Sequence, residues 1–160
     1  MMGRSDVEEL WAGITALYAE PGVAEACIAA QDEAGADVLL LLAAALQARR
    51  GVSLAGRGAA LAAAVGPWRS EVVGPLRALR RRWRGLAGVE PLRERLKALE
   101  LEAERAQWER MLPQLGGTPG EAGPALLREN LAVVAPGLAA GRRDALATVL
   151  ARGWRPAPGR

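Results

Sequence analysis

Residues 38–51 read "VLLLLAAALQARRG", and any fold of this chain has to bury them. The first nine, Val38 to Leu46, are apolar without a break. Wound into a helix, such a run is apolar on every side, so it belongs in the centre of a bundle and not on a surface. Asp37 stands directly before it, where a carboxylate accepts from the free N–H groups of a first helical turn. The run falls far short of the roughly 20 apolar residues that a membrane-spanning helix needs.

The flanking patterns are helical too. Val7, Leu10, Trp11, Ile14, Leu17 and Tyr18 recur at helical spacing, with Ser5 and Glu8 as a predicted capping box ahead of them. After "EPGV" at 20–23 a second helix is expected to run to Ala34 and stop at Gly35. Its apolar face carries Val23, Ala24, Cys27 and Ile28, with Gln31 in the middle. An alanine-rich helix within 54–66 follows, then a fifth opened by Pro67, which Gly74-Pro75 must kink or restart. The longest pattern, "EPLRERLKALELEAERAQWERML" at 90–112, has two apolar sides. Leu92, Leu96, Leu99, Ala103 and Ala106 form one, and Leu101, Trp108, Leu112 and Leu115 the other. Two sides imply two neighbours, and a second copy of the chain would serve as one of them.

"GGTPGEAGP" at 116–124 reads as a linker. Beyond it lie two short amphipathic patterns, Leu126/Leu127/Leu131/Val134 and Leu146/Val149/Leu150, and a tail "WRPAPGR" at 154–160 that is expected to fray. No alternating β-branched run competes. The predicted fold is all-α: a bundle of about six helices over 1–115, the linker at 116–124, and a C-terminal helical segment at 125–154. That last segment is expected to pack on the bundle or on an oligomer partner.

Composition excludes several chemistries. The 160 residues contain no histidine, which removes Ser-His-Asp and Cys-His nucleophile systems and His-ligated zinc. One cysteine, Cys27, can form no internal disulfide and fits a reducing cytoplasm. Aromatics are 4% and phenylalanine is absent, so core contacts must come from Ala, Leu and Val. Net charge is only +3, but residues 1–46 hold one base against eight acids, while 47–86 hold nine bases against one acid.

Five of those bases fall within eight residues, Arg77 to Arg84. On a helix Arg77, Arg80, Arg81 and Arg84 lie within about 100° of one another, beside an apolar face of Val72, Leu76, Leu79, Trp83 and Leu86. Three readings of this stripe stay open. It is a solvated surface ion-paired to Glu25, Asp32 and Glu33; it contacts nucleic-acid phosphates; or it holds a partner protein or an anionic metabolite against Gln31 and Asp32. Glu100 and Glu104, one turn apart, could share a metal or a proton, but Lys97, Arg93 and Arg105 nearby make an ion-paired face the simpler account. Cys27 lies on an apolar face with no base to activate it, and Trp11 and Tyr18 read as core aromatics.

"LW" at 10–11, "LYAEPGV" at 17–23, "QDEAGADV" at 31–38, "PW" at 67–68, "VVGPLRALRRRWR" at 72–84 and "LKALELEAER" at 96–105 occur in order. In this the chain resembles a proteobacterial family catalogued as domain of unknown function 2390, over about residues 7–112. The resemblance implies a bacterial cytoplasmic protein with a helical fold and implies no activity. The segment after Leu115 lies outside it. The expectation that results is a non-enzymatic cytoplasmic helical protein with no catalytic residue, metal or cofactor, and no membrane association. It would bind another macromolecule, a protein or itself, through Arg77, Arg80, Arg81 and Arg84, with Gln31 and Asp32 as polar neighbours. The alternatives are binding to a nucleic-acid backbone, or an enzyme or binder of a small anionic metabolite that uses Arg77 or Arg80 with Asp32.

Overall fold

A computed structural model describes residues 3–154, and among the described residues all regular secondary structure is helical, with no strand. The tail expected to fray lies, from residue 155 onward, outside the described residues. Eight α-helices follow in order: α1 (Arg4–Tyr18), α2 (Val23–Ala34), α3 (Val38–Arg49), α4 (Gly58–Trp68), α5 (Gly74–Arg82), α6 (Glu90–Met111), α7 (Pro124–Val134) and α8 (Ala140–Ala151). A π-helical turn, Arg69–Val73, joins α4 to α5, and a 3₁₀ turn, Leu112–Gln114, follows α6. The described residues form two compact units, one of residues 3–61 with 114–154 and the other of residues 62–113.

The first unit is built around α3. Leu39 to Ala45 are all buried there, as are Gln47 and Ala48. Asp37 caps the helix as expected, its Oδ1 accepting from Leu40 N at 3.0 Å. Helices α1, α2 and α7 pack on α3, and α8 packs on α2 and α7. The α1 start differs from expectation. The helix begins at Arg4, and the carboxylate that reaches back to its cap is Asp6, which accepts from Gly3 N at 2.9 Å. Ser5 and Glu8 therefore sit inside the helix. Tyr18, expected in the core, is 37% exposed. Gly35 ends α2 in the left-handed region at φ +64, donating to Gln31 O at 2.9 Å.

The stretch at 116–124 is non-helical up to the start of α7, and its first half is tied down at Gly116 and Gly120. Gln47 Nε2 donates to Leu115 O, and Arg57 Nη1 donates to Gln114 O at 3.0 Å and to Gly116 O. Gly120 N donates to Gly51 O at 2.7 Å. Gly51 has φ +73, and a Cβ there would run into the Gly120 carbonyl, so two backbones meet where only glycine fits.

Asn130 on α7 is fully buried and ties α7 to α3 and to the loop that follows it. Its Oδ1 accepts from Leu54 N at 2.9 Å, and its Nδ2 donates to Val52 O at 3.0 Å and to Ala44 O at 3.3 Å. At the surface Arg49 donates to both Glu20 carboxylate oxygens at 3.4 Å and to Leu150 O at 2.9 Å, joining the α1–α2 turn to the end of α8.

The second unit is an antiparallel helical hairpin, α5 against α6, entered from α4 through the π turn. Pro67 does not open a helix; it sits in the last turn of α4. The π turn resolves the Gly74-Pro75 problem. Pro75 has no N–H to give one turn back and its ring would crowd the carbonyl there. A five-residue spacing instead lets Gly74 N donate to Arg69 O, and α5 continues beyond it. Trp68 locks the far end: its Nε1 donates to Ala103 O at 2.9 Å, and the Arg110 guanidinium lies 3.7 Å over its ring.

Along α6 the buried positions are Arg93, Leu96, Glu100, Ala103, Gln107, Trp108 and Met111. The apolar side expected to run Leu92–Leu96–Leu99–Ala103–Ala106 is thus split. Leu96 and Ala103 are buried, but Leu92 and Leu99 are 52% and 49% exposed, and Leu101 on the other side is 54% exposed. The reason is electrostatic: α5 turns arginines toward α6, and the column facing them has to supply carboxylates.

Candidate functional site

The arginine stripe divides into two halves with different surroundings. Arg77 and Arg80 are one turn apart on α5 and lean onto α6. Arg77 Nε donates to Glu100 Oε1 at 3.2 Å, and its Nη2 donates to Glu104 Oε1 at 2.9 Å. Arg80 brackets the same Glu100 carboxylate, Nη2 to Oε1 at 3.2 Å and Nε to Oε2. Glu100 is buried, while the two arginine side chains keep about a fifth of their surface, 19% and 21%. Burial pushes the Glu100 carboxyl up, but hydrogen bonds and charge from Arg80, then Arg77, outweigh it and hold it below the ordinary carboxylate range. Arg93 completes the cluster from α6, donating from Nε to Arg80 O at 3.1 Å in the last turn of α5, where a cation meets the negative helix end.

Arginines pairing with carboxylates were expected, but with acids of the first two helices. The structure corrects the partners for Arg77 and Arg80, which are Glu100 and Glu104 on α6. Glu33 instead meets Arg142, at 2.5 and 2.7 Å. Glu100 and Glu104 are ion-paired, though Glu100 is buried and not on a solvated face. Lys97 pairs with Glu94 at 2.9 Å and Arg105 with Glu109 at 3.8 Å. Among the described residues no group of three or more Cys, Asp or Glu side chains is placed to hold a metal ion.

Arg81 and Arg84 form the other half, and Arg82 is their neighbour off the stripe. They are exposed, and none makes an ion pair among the described residues. They close α5 and enter the turn 83–89, in which Gly85 and Gly88 take φ +74 and +80. The same turn presents Leu86, 57% exposed. Trp83 is half-buried and lines an open groove of about 540 Å³ with Leu92, Arg95, Leu96, Ala98, Leu99 and Glu102. Unpaired guanidinium and exposed apolar surface thus sit side by side at the hairpin tip.

Gln31 and Asp32 lie on α2 in the first unit. Gln31 is half-buried and Asp32 exposed. The end of α2 is closed by the Gln31 backbone carbonyl, which accepts from Gly35. Cys27 is buried, and burial pushes its thiol up to about 12, which suits a core residue and not a nucleophile.

Sequence reasoning missed the buried polar residues. Arg93 and Glu100 follow the same spacing as the buried Leu96 and Ala103, so the column was legible as a helix face but not as the face turned inward. Asn130 sits between Leu127 and Leu131 in the α7 pattern, a polar residue within an apolar stripe, and that was the available signal.

These features define an all-helical protein of two compact units. One is built around an apolar central helix, the other is a hairpin with a buried arginine–carboxylate cluster and an unpaired basic, apolar tip. The chain belongs to a family described as protein of unknown function (DUF2390), whose pattern matches residues 9–111. No curated protein and no solved structure matches it. Among the described residues no helix is long and apolar enough to cross a membrane.

Proposed function

We propose that this is a non-enzymatic cytoplasmic protein that docks onto another protein through the tip of its α5–α6 hairpin. The observation that carries the reading is the division of the arginines. Arg77 and Arg80 are occupied by Glu100 and Glu104, whereas Arg81, Arg82 and Arg84 are exposed and unpaired next to Leu86 and Trp83. Charge beside exposed apolar surface fits a protein partner with acidic residues around an apolar contact, because such interfaces combine an apolar centre with a charged rim. A phosphate backbone would use the charges and leave Leu86 in water.

Two experiments test this. A photo-crosslinking residue at position 86, used in cell extract, should give a discrete protein adduct that disappears in an Arg81→Glu/Arg84→Glu variant. The same residue at position 28, on α2, should not give it. Binding to labelled single- and double-stranded nucleic acid across a salt series should be weak. Tight binding with a steep salt slope, lost in the variant, would replace the protein reading with a phosphate-contacting one.

A further inference from the structure

The exposed stripe of α6 carries a pattern that does not depend on the hairpin tip. Leu92, Arg95, Ala98, Leu99 and Glu102 fall within about 120° of one another on the helix. Leu92 and Leu99 are each about half exposed on this side of the hairpin. Arg95 and Glu102 are exposed, line the groove beside α6, and make no ion pair among the described residues. This contrasts with the neighbouring charges of the same helix, Glu94 with Lys97 and Arg105 with Glu109, which pair within the chain.

The order along the stripe is self-complementary. Arg95 and Glu102 are seven residues, about 10.5 Å, apart, with Ala98 and Leu99 between them. An identical helix laid antiparallel, with the two-fold axis passing between Ala98 and Leu99, places each Arg95 opposite Glu102 of the second copy. The same register sets each Leu99 against the small Ala98, a knob facing a space. Leu92 then meets the aliphatic stem of Arg105, which covers apolar surface while its guanidinium stays with Glu109 of its own chain. Both opposite-charge contacts form at once, and neither Arg95 nor Glu102 faces its own counterpart in the second copy. Such an isologous contact closes on itself and produces a dimer, not a filament.

We propose that the protein forms a two-fold dimer in which the Leu92–Arg95–Leu99–Glu102 stripe of α6 packs antiparallel on the same stripe of a second copy, Arg95 against Glu102. This does not rest on the partner reading of the arginine tip.

The test is sedimentation equilibrium of the full chain over a concentration range, with variants that reverse one charge. Wild type should move from 16.8 kDa toward twice that mass as concentration rises. Arg95→Glu and Glu102→Arg each replace two attractions with two repulsions and should weaken the dimer about tenfold or more. Mixed one to one, these two variants regain both opposite-charge contacts and should form a heterodimer. The exchanged double variant Arg95→Glu/Glu102→Arg should also recover the wild-type dimer. Both positions are exposed, and unchanged circular dichroism establishes that the variants fold. A wild type that stays at 16.8 kDa up to about 1 mM overturns the proposal. A dimer indifferent to single reversals, or a mixture that fails to associate, overturns it equally.

Discussion

Glu100→Gln removes the charge on which Arg77 and Arg80 converge. Arg77 keeps its 2.9 Å contact to Glu104, but Arg80 loses its two bonds to the Glu100 carboxylate, and the new amide turns an N–H toward guanidinium. Breaking a fully buried pair costs about 3–5 kcal/mol; with the guanidinium side chains about one-fifth exposed, we reduce this to about 2 kcal/mol. For a chain of this size that lowers the melting temperature by about 4–8 °C, measured by circular dichroism at pH 7. The pH dependence has a definite sign. Glu100 is held below its unfolded value of about 4.3, so its stabilisation is complete above that pH and is lost as pH falls through the folded value. The gap between wild type and Glu100→Gln should therefore begin to narrow as pH falls below the unfolded value and close only once pH is below the folded one. An apolar replacement of the cluster, Arg77→Met/Arg80→Met/Glu100→Leu, should recover most of the loss, because it removes the buried charge and leaves only Glu104, whose side chain is 26% exposed, without Arg77. A Glu100→Gln protein that melts within about 1 °C of wild type at pH 7 would refute the buried ion-pair account.

Three further outcomes follow from the first unit and are checked by ordinary denaturation or labelling. Asn130→Ala orphans the Leu54 N–H and two carbonyls and should cost about 3 kcal/mol, about 6–12 °C in melting temperature. Asn130→Asp should not rescue it, since a carboxylate cannot donate to Ala44 and Val52. Gly51→Ala puts a Cβ into the Gly120 carbonyl at a left-handed φ and should lower the urea midpoint by the equivalent of about 2 kcal/mol or more. Cys27, buried and with its thiol pushed up to about 12, should resist thiol reagents in the folded protein and react only as the chain unfolds.

How much of this was legible depends on what each residue had to satisfy. The α3 run could be nothing but a buried helix, and Asp37 before it and Gly35 after α2 are punctuation with a single use each. The α6 pattern was harder. A 22-residue amphipathic helix with leucines on several sides does not say which side is buried, and the answer was set by Arg77 and Arg80 across the hairpin. Those arginines call for carboxylates, so Glu100 faces inward and Leu92 and Leu99 remain outside. Helix starts shifted by small amounts for local reasons: Asp6 reaches the Gly3 N–H, which Glu8 does not cap. The contacts joining 114–120 to Arg57, Gln47 and Gly51 involve mostly backbone carbonyls, which carry no residue-specific signature, so that stretch read as a free linker.

The division of the arginine stripe into a structural half and a free half is tested most directly by melting two double variants side by side. Arg77→Gln/Arg80→Gln should lose several degrees, because it strands Glu100 in a buried position. Arg81→Gln/Arg84→Gln should melt within about 1 °C of wild type, since exposed unpaired charges contribute little to folding. Equal losses in the two, or a loss confined to the second, would contradict the division and with it the assignment of the hairpin tip as the binding surface.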